Sequence, residues 1–306
     1  MASTDPFPVV VHRIASGTPN IVAYERAVWT QRNALVFIGG FTEGPHTNLV
    51  VDAIVRKLNG SAFSVWDLRM RSSYTGFGYS SLSNDVQDIS ALVSYLRTLG
   101  KQKIVLCGAS TGCQDCLEYA DREKHKSAPV DGYILLSPVS DRQTAGLLMP
   151  PDDLERANQH AQEMIAEGKP NDVMPTSFIP FIFTSPITAY RWNSLAAKGG
   201  DDDSFSADLD DATVSAKFGR IDSPILMLPG KEDELVPPSV DKKELLSRWI
   251  QACPKGTVSK LSVLVPEADH VISHPEAQEW VSNSVLRFLE ALLEQFSLEQ
   301  GERQSS

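Results

Sequence analysis

Lys103-Ile104-Val105-Leu106-Cys107-Gly108-Ala109-Ser110-Thr111-Gly112 decides the fold of this chain. An apolar run of strand character ends in a serine held between glycines, and a helix-like stretch opens at Cys113. Glycine permits backbone conformations and close approaches that other residues resist. Gly-x-Ser-x-Gly between a strand and a helix therefore describes a cramped turn that lifts Ser110 Oγ above the carboxyl edge of a sheet. A hydroxyl placed there becomes a nucleophile only if a base reaches it.

Upstream, extended segments around Val9-Val10-Val11 and Ile21-Val22-Ala23-Tyr24 precede Ala34-Leu35-Val36-Phe37-Ile38, an apolar run ended by Gly39-Gly40. Such short continuous runs are expected of strands buried on both faces. A helix pattern covers Leu49 to Leu58, Phe63-Ser64-Val65-Trp66 gives a further strand, and Leu82, Val86, Ile89, Val93 and Leu96 recur at helical spacing up to Gly100. Downstream come a helix from Gln114 to Glu123 and a strand at Gly132-Tyr133-Ile134-Leu135-Leu136. Beyond a long interruption follow a strand at Pro224-Ile225-Leu226-Met227-Leu228, a helix from Lys242 to Ile250, a strand at Leu261-Ser262-Val263-Leu264-Val265 and a helix from Pro275 to Phe296. Strands alternating with helices predict an α/β fold, its mostly parallel central sheet covered on both faces.

With the serine turn, this order is that of the α/β-hydrolase fold, whose acid and histidine follow the serine in the chain. Residues 1–140 and 217–298 are read as its core, 141–216 as an inserted cap, and 299–306 as a frayed polar tail. Within the cap, Pro151-Asp152-Asp153 starts a polar helix that Gly168-Lys169-Pro170 stops. Phe178-Ile179-Pro180-Phe181-Ile182-Phe183 and Tyr190-Arg191-Trp192 follow. Two readings of these aromatics stand: they line a substrate pocket, or they fasten the cap to the core.

The base is expected at His270, just past the last predicted strand. His12, His46, His125, His160 and His274 lie at positions that fit the role less well. An imidazolium formed during attack needs a carboxylate that fixes its tautomer, and Asp233 in Gly230-Lys231-Glu232-Asp233-Glu234-Leu235-Val236-Pro237 is the candidate, with Glu232 and Glu234 as solvated neighbours. Asp141, after the preceding core strand, is its rival. The tetrahedral oxyanion needs fixed donors, each worth about 3 kcal/mol. These are assigned to the backbone N–H of Thr111 and that of Phe41 in Gly39-Gly40-Phe41-Thr42.

The chain resembles a family of fungal and plant α/β-hydrolases, formerly of unknown function, that includes the fungal siderophore (fusarinine C) esterases. The resemblance is carried by Phe37-Ile38-Gly39-Gly40-Phe41-Thr42, Ser72-Ser73-Tyr74-Thr75-Gly76-Phe77-Gly78, Ser110-Thr111-Gly112-Cys113-Gln114-Asp115, Thr188-Ala189-Tyr190-Arg191-Trp192 and Gly200-Asp201-Asp202-Asp203-Ser204-Phe205-Ser206-Ala207-Asp208-Leu209. It implies hydrolysis of esters in fusarinine-type hydroxamate siderophores, whose N-acylated ornithine units are ester-linked, and release of their iron inside the cell. The iron would belong to the substrate, since no cofactor motif and no metal-ligand cluster is visible. Substrate contacts are expected from Arg69, Tyr74, Phe181 and Trp192, with Arg71 nearby; the alternative for Gly76 and Gly78 is that they only shape a turn.

Composition narrows the partners. Thirty-nine acidic against 28 basic residues, a net charge of −11, disfavour nucleic acid. No stretch approaches eighteen uninterrupted apolar residues, so a cytoplasmic protein acting on a small-molecule ester, without a membrane partner, is expected. Four cysteines in 306 residues make no disulfide framework. The triad specifies acyl transfer and not the acyl group. A general carboxylesterase or thioesterase, or a hydrolase-fold binding protein without turnover, therefore remain as alternatives.

Overall fold

The computed structural model describes residues 6–15, 21–26, 31–180 and 185–304. Seven strands, β1 (Val9–Arg13), β2 (Val22–Arg26), β3 (Asn33–Ile38), β4 (Phe63–Arg69), β5 (Ile104–Ala109), β6 (Gly132–Leu136) and β7 (Ile225–Leu228), form one sheet in the order β1-β2-β4-β3-β5-β6-β7. β1 and β2 join antiparallel at one edge, and every later pairing is parallel.

The unbroken apolar runs are explained by what lies on each face. Alternate residues of a strand point to opposite sides, and both sides are covered. Ala34, Val36, Ile38, Ile104 and Leu106 join one cluster with α2 (Leu82–Thr98) and α3 (Gly112–Tyr119). Leu35, Phe37, Val105 and Cys107 join the other with α1 (Leu49–Leu58) and α10 (Pro275–Gln304). Each fully buried Leu, Ile, Val or Phe contributes about 1.5–3 kcal/mol, so a register slip of one residue would cost little apolar burial in β5 itself. The serine turn at its end, described below, adds a further tie to β6.

Three elements depart from the sequence reading. The single helix expected from Gln114 to Glu123 is two, α3 and α4 (Arg122–His125), because the Asp121 carboxylate caps a new turn by accepting the Lys124 N–H at 3.1 Å. The strand expected at Leu261–Val265 does not form. Ser262 Oγ accepts the Met227 N–H (3.0 Å), replacing a ladder carbonyl, and the segment keeps only separate backbone links, the Val263 N–H to the Met227 carbonyl (3.2 Å) and a single bridge between Val265 and Gly230. Helix α10 runs on past Phe296 and takes in most of the stretch read as a polar tail.

Between β6 and β7 lie α5 (Asp141–Leu148), α6 (Pro151–Ala166), α7 (Ala189–Ala196) and α8 (Asp211–Phe218). Ala145, Ala157, Ala161, Trp192 and Leu195 from the first three form a third apolar cluster with Phe77. Phe205, Leu209, Val214 and Phe218 turn the other way, into the core cluster that also holds Trp249 of α9 (Lys242–Ala252). Among the described residues no helix is long and apolar enough to cross a membrane.

Candidate active site

Ser110 follows the last residue of β5 and takes φ = 53°, a left-handed conformation that costs a non-glycine residue about 1–3 kcal/mol. Its neighbours make the turn possible. A Cβ on Gly108 would stand 2.1 Å from the Gly112 carbonyl oxygen, and one on Gly112 would stand 2.3 Å from that of Ile38. The Ser110 N–H donates to the Leu136 carbonyl (3.0 Å), tying the turn to β6. Oγ is thereby held at the carboxyl edge of β5, with the electropositive N-terminus of α3 starting two residues on.

Ser110 Oγ is 2.8 Å from His270 Nε2, and His270 Nδ1 is 2.9 Å from Asp233 Oδ2. Asp233 is 2% exposed, and its other oxygen accepts the Leu235 N–H (3.0 Å). Burial by itself would lower the His270 pKa. The hydrogen bond and charge of Asp233, with the charges of Glu234 and Asp141, outweigh it and hold the imidazole above its ordinary value. Glu234, read from sequence as a solvated neighbour, instead accepts the His270 backbone N–H at 2.9 Å. One short turn thus fixes both the ring and the main chain of His270, which compensates for the missing strand before it.

Asp141 is hydrogen-bonded elsewhere than to His270. Its carboxylate accepts Thr111 Oγ1–H (3.2 Å) and Gln114 Nε2–H (2.7 Å), and burial, then the like charge of Asp202, pushes its pKa up to about 7. On the other side of the serine, Glu43 pins the turn after β3. Its Oε2 accepts the Gly40 N–H (2.7 Å) and its Oε1 an Asn48 amide proton (3.0 Å). Phe41, the next residue, packs its ring tilted against that of Phe77, with centroids 4.1 Å apart.

A cavity of about 260 Å³ opens over Ser110 and His270. Phe41, Val139, Leu148, Ile187, Trp192 and Leu195 give it apolar walls, and Asp141 and Thr144 are its polar points. Trp192 is therefore brought to the site, with its indole N–H donated to Asn158 Oδ1 (2.9 Å). Arg69 and Tyr74 are not. Tyr74 packs its ring on Gly44 and donates its hydroxyl to the Pro45 carbonyl (3.2 Å), and Arg69, at the end of β4, is its neighbour. Arg71 spends its guanidinium on Asp88 and Asn84. Phe181 lies outside the described residues.

Behind the Ser110 turn sits a buried charge group invisible in the sequence. Arg191 Nη1 donates to Asp202 (2.7 Å), which also accepts Ser194 Oγ–H (2.6 Å). Asp85 and Asp115 lie nearby, and burial raises both carboxyl pKa values, that of Asp85 to about 7. The thiols of Cys107, Cys113 and Cys116 are fully enclosed and pushed up by burial, so the Cys113-x-x-Cys116 pair packs as small apolar side chains.

Residues 1–290 match the family described as "Protein of unknown function (DUF1749)". The chain belongs to that family. It is 32% identical over 283 residues to the UPF0613 protein PB24D3.06c of Schizosaccharomyces pombe, covering 86% of this chain and 89% of the relative. Fusarinine C esterase sidJ of Aspergillus fumigatus is 27% identical over 344 residues, with 94% and 96% covered. Among solved structures, the siderophore hydrolase EstB from Aspergillus fumigatus superposes with a TM-score of 0.80 at 27% identity, covering 95% of this chain and 99% of that one. The fold is that of the α/β-hydrolases.

Proposed function

We propose that this DUF1749 protein is a serine hydrolase of carboxylic esters, with Ser110 as nucleophile, His270 as general base and acid, and Asp233 as the group that orients and stabilises the imidazolium. The observation carrying the proposal is the continuous hydrogen-bonded chain from Ser110 Oγ through His270 to Asp233, at 2.8 and 2.9 Å. His270 Nε2 takes the Ser110 proton as Oγ attacks the ester carbonyl, then delivers it to the departing alcohol. Water attacks the acyl-serine by the same route, and the acid leaves. The N–H groups of Thr111 and Phe41 serve as oxyanion donors, set in place by the start of α3 and by the Glu43-pinned turn. Residues 141–216 act as the cap that shapes the cavity, supported by the position of Trp192 and Leu195 in its walls.

The substrate class we assign is a fusarinine-type siderophore ester, whose hydrolysis in the cytoplasm frees its iron. The esterase name of the Aspergillus fumigatus relative, the siderophore hydrolase title of the superposed structure and four unpaired cysteines support this reading. The strongly apolar walls favour a second reading, a carboxylesterase for a simple aliphatic acyl group. Purified protein is tested by fluorophosphonate labelling and then by hydrolysis of a panel of fusarinine-type esters, p-nitrophenyl esters and acyl thioesters. Labelling at Ser110 with turnover of the siderophore esters is the expected result. Activity on simple esters alone would move the function to the second reading, thioesters alone to a thioesterase, and an unlabelled, inert protein to a binding role.

A further inference from the structure

Asp141 is a carboxylate in a largely apolar cavity, and nothing in the proposed hydrolytic cycle uses its charge. Both of its hydrogen-bond donors, Thr111 Oγ1 and Gln114 Nε2, are neutral. The two cations that act on it are engaged elsewhere, Arg191 with Asp202 at 2.7 Å and His270 with Asp233 at 2.9 Å. The carboxylate gives one oxygen to each donor, and in this setting its charge carries a desolvation cost that protonation or a cationic partner relieves. That cost is visible in the upward displacement of its pKa to about 7. A cationic partner from outside would reach it through the cavity that Asp141 shares with Ser110 and His270.

We propose that Asp141 recognises an ammonium group on the acyl side of the substrate, on the carbon bonded to the scissile carbonyl. The location follows from its hydrogen bond to Thr111, whose peptide N–H is the assigned oxyanion donor. A carboxylate bonded to that residue and lining the same cavity of about 260 Å³ as Ser110 lies on the side of the carbonyl being attacked. The substrate class is then an ester of an amino acid whose α-amine is free. The inference deepens the ester-hydrolase reading and rests on it. Asp141 thus has a share in specificity, although it is not the acid of the triad.

The test compares ethyl (S)-2-aminopentanoate with ethyl pentanoate, two esters that differ only by the amine, on wild-type protein and on Asp141→Asn near neutral pH. A charged hydrogen bond is worth about tenfold or more in binding, so wild-type kcat/KM should favour the amino ester by at least that factor. In Asp141→Asn, which keeps an acceptor for Thr111, the preference should collapse to about unity. The ratio of two substrates on one preparation is independent of how much of it is folded. Brisk hydrolysis of ethyl pentanoate by wild type with no preference for the amine would overturn this inference alone. So would a preference that survives in Asp141→Asn, because Asp141 would then act only by holding Thr111. Inertness toward both esters with no fluorophosphonate labelling would overturn the ester-hydrolase reading as well.

Discussion

Replacing Gly40 by alanine adds a single methyl group at the one point where the β3 turn touches the nucleophile. Gly40 does not take a positive φ, so alanine is acceptable to its backbone and the effect is one of contact. The new Cβ would stand 2.6 Å from Ser110 Cβ, 2.9 Å from the Ala109 carbonyl oxygen and 3.3 Å from Ser110 Oγ. Ordinary contact begins at 3.4 Å, so the two carbons must part by about 0.8 Å. Neither side yields freely, since Ser110 is hydrogen-bonded to Leu136 of β6 and Gly40 to the Glu43 carboxylate. A misplacement near 1 Å costs about 10²-fold in rate when reacting atoms must meet at 3–3.5 Å, while overpacking costs about 1–3 kcal/mol of stability. The expected result is a kcat on p-nitrophenyl butyrate lower by about 10²-fold, with slowed fluorophosphonate labelling and a cooperative melting transition. A folded Gly40→Ala protein with kcat within about twofold of wild type would refute the claim that this contact positions Oγ.

Ser110→Ala should lower kcat by about 10⁴-fold or more with the melting transition preserved, because the three residues act as a unit; retention of a tenth of the activity would remove Ser110 from the role. The base works only as neutral imidazole, so kcat/KM should rise with pH with an inflection above the ordinary histidine value of about 6.5. The stabilisation from the protonated His270–Asp233 pair is full below the unfolded histidine pKa and is lost as pH rises through the raised folded value, so activity should grow as that contribution fades. Asp233→Asn should cost about 10⁴-fold in kcat, and its pH–rate inflection should move down; a mild Asp233→Asn beside a crippled Asp141→Asn would transfer the acid to Asp141. Asp202→Asn leaves the Arg191 guanidinium buried without a full counter-charge and should destabilise the fold by about 3–5 kcal/mol in a denaturant titration.

What was legible in the sequence is what depends on local order. The β5 run and the glycines around Ser110 read directly, since each records a local steric demand. Asp233 and His270 were placed by chain order, and in the structure His270 reaches Ser110 and Asp233 reaches His270. The missing last strand was illegible because Val263 and Val265 have strand composition, while the hydroxyl of Ser262 that displaces the ladder is one atom of a common residue. Arg69 and Tyr74 were misplaced because a side chain's direction past the end of a strand is not written in its spacing. Arg191 and Asp202 lay within two of the stretches that mark the family resemblance, yet their pairing is a tertiary fact that nothing in either stretch announces. The charge on Asp141 becomes informative only when its surroundings are known to be apolar.

The enclosed thiols make the protein its own gauge of opening. Cys107, Cys113 and Cys116 are fully buried around β5 and α3, and Cys253 is nearly so, 8% exposed beside Trp249 in the core cluster. A small maleimide or disulfide reagent meets none of the first three until the element carrying Ser110 separates from the sheet. The rate of alkylation under native conditions therefore counts openings of the region that matters for catalysis. Set against turnover loss on heating, that rate distinguishes inactivation by local loosening of the serine turn from inactivation by global unfolding, with no label added to the chain.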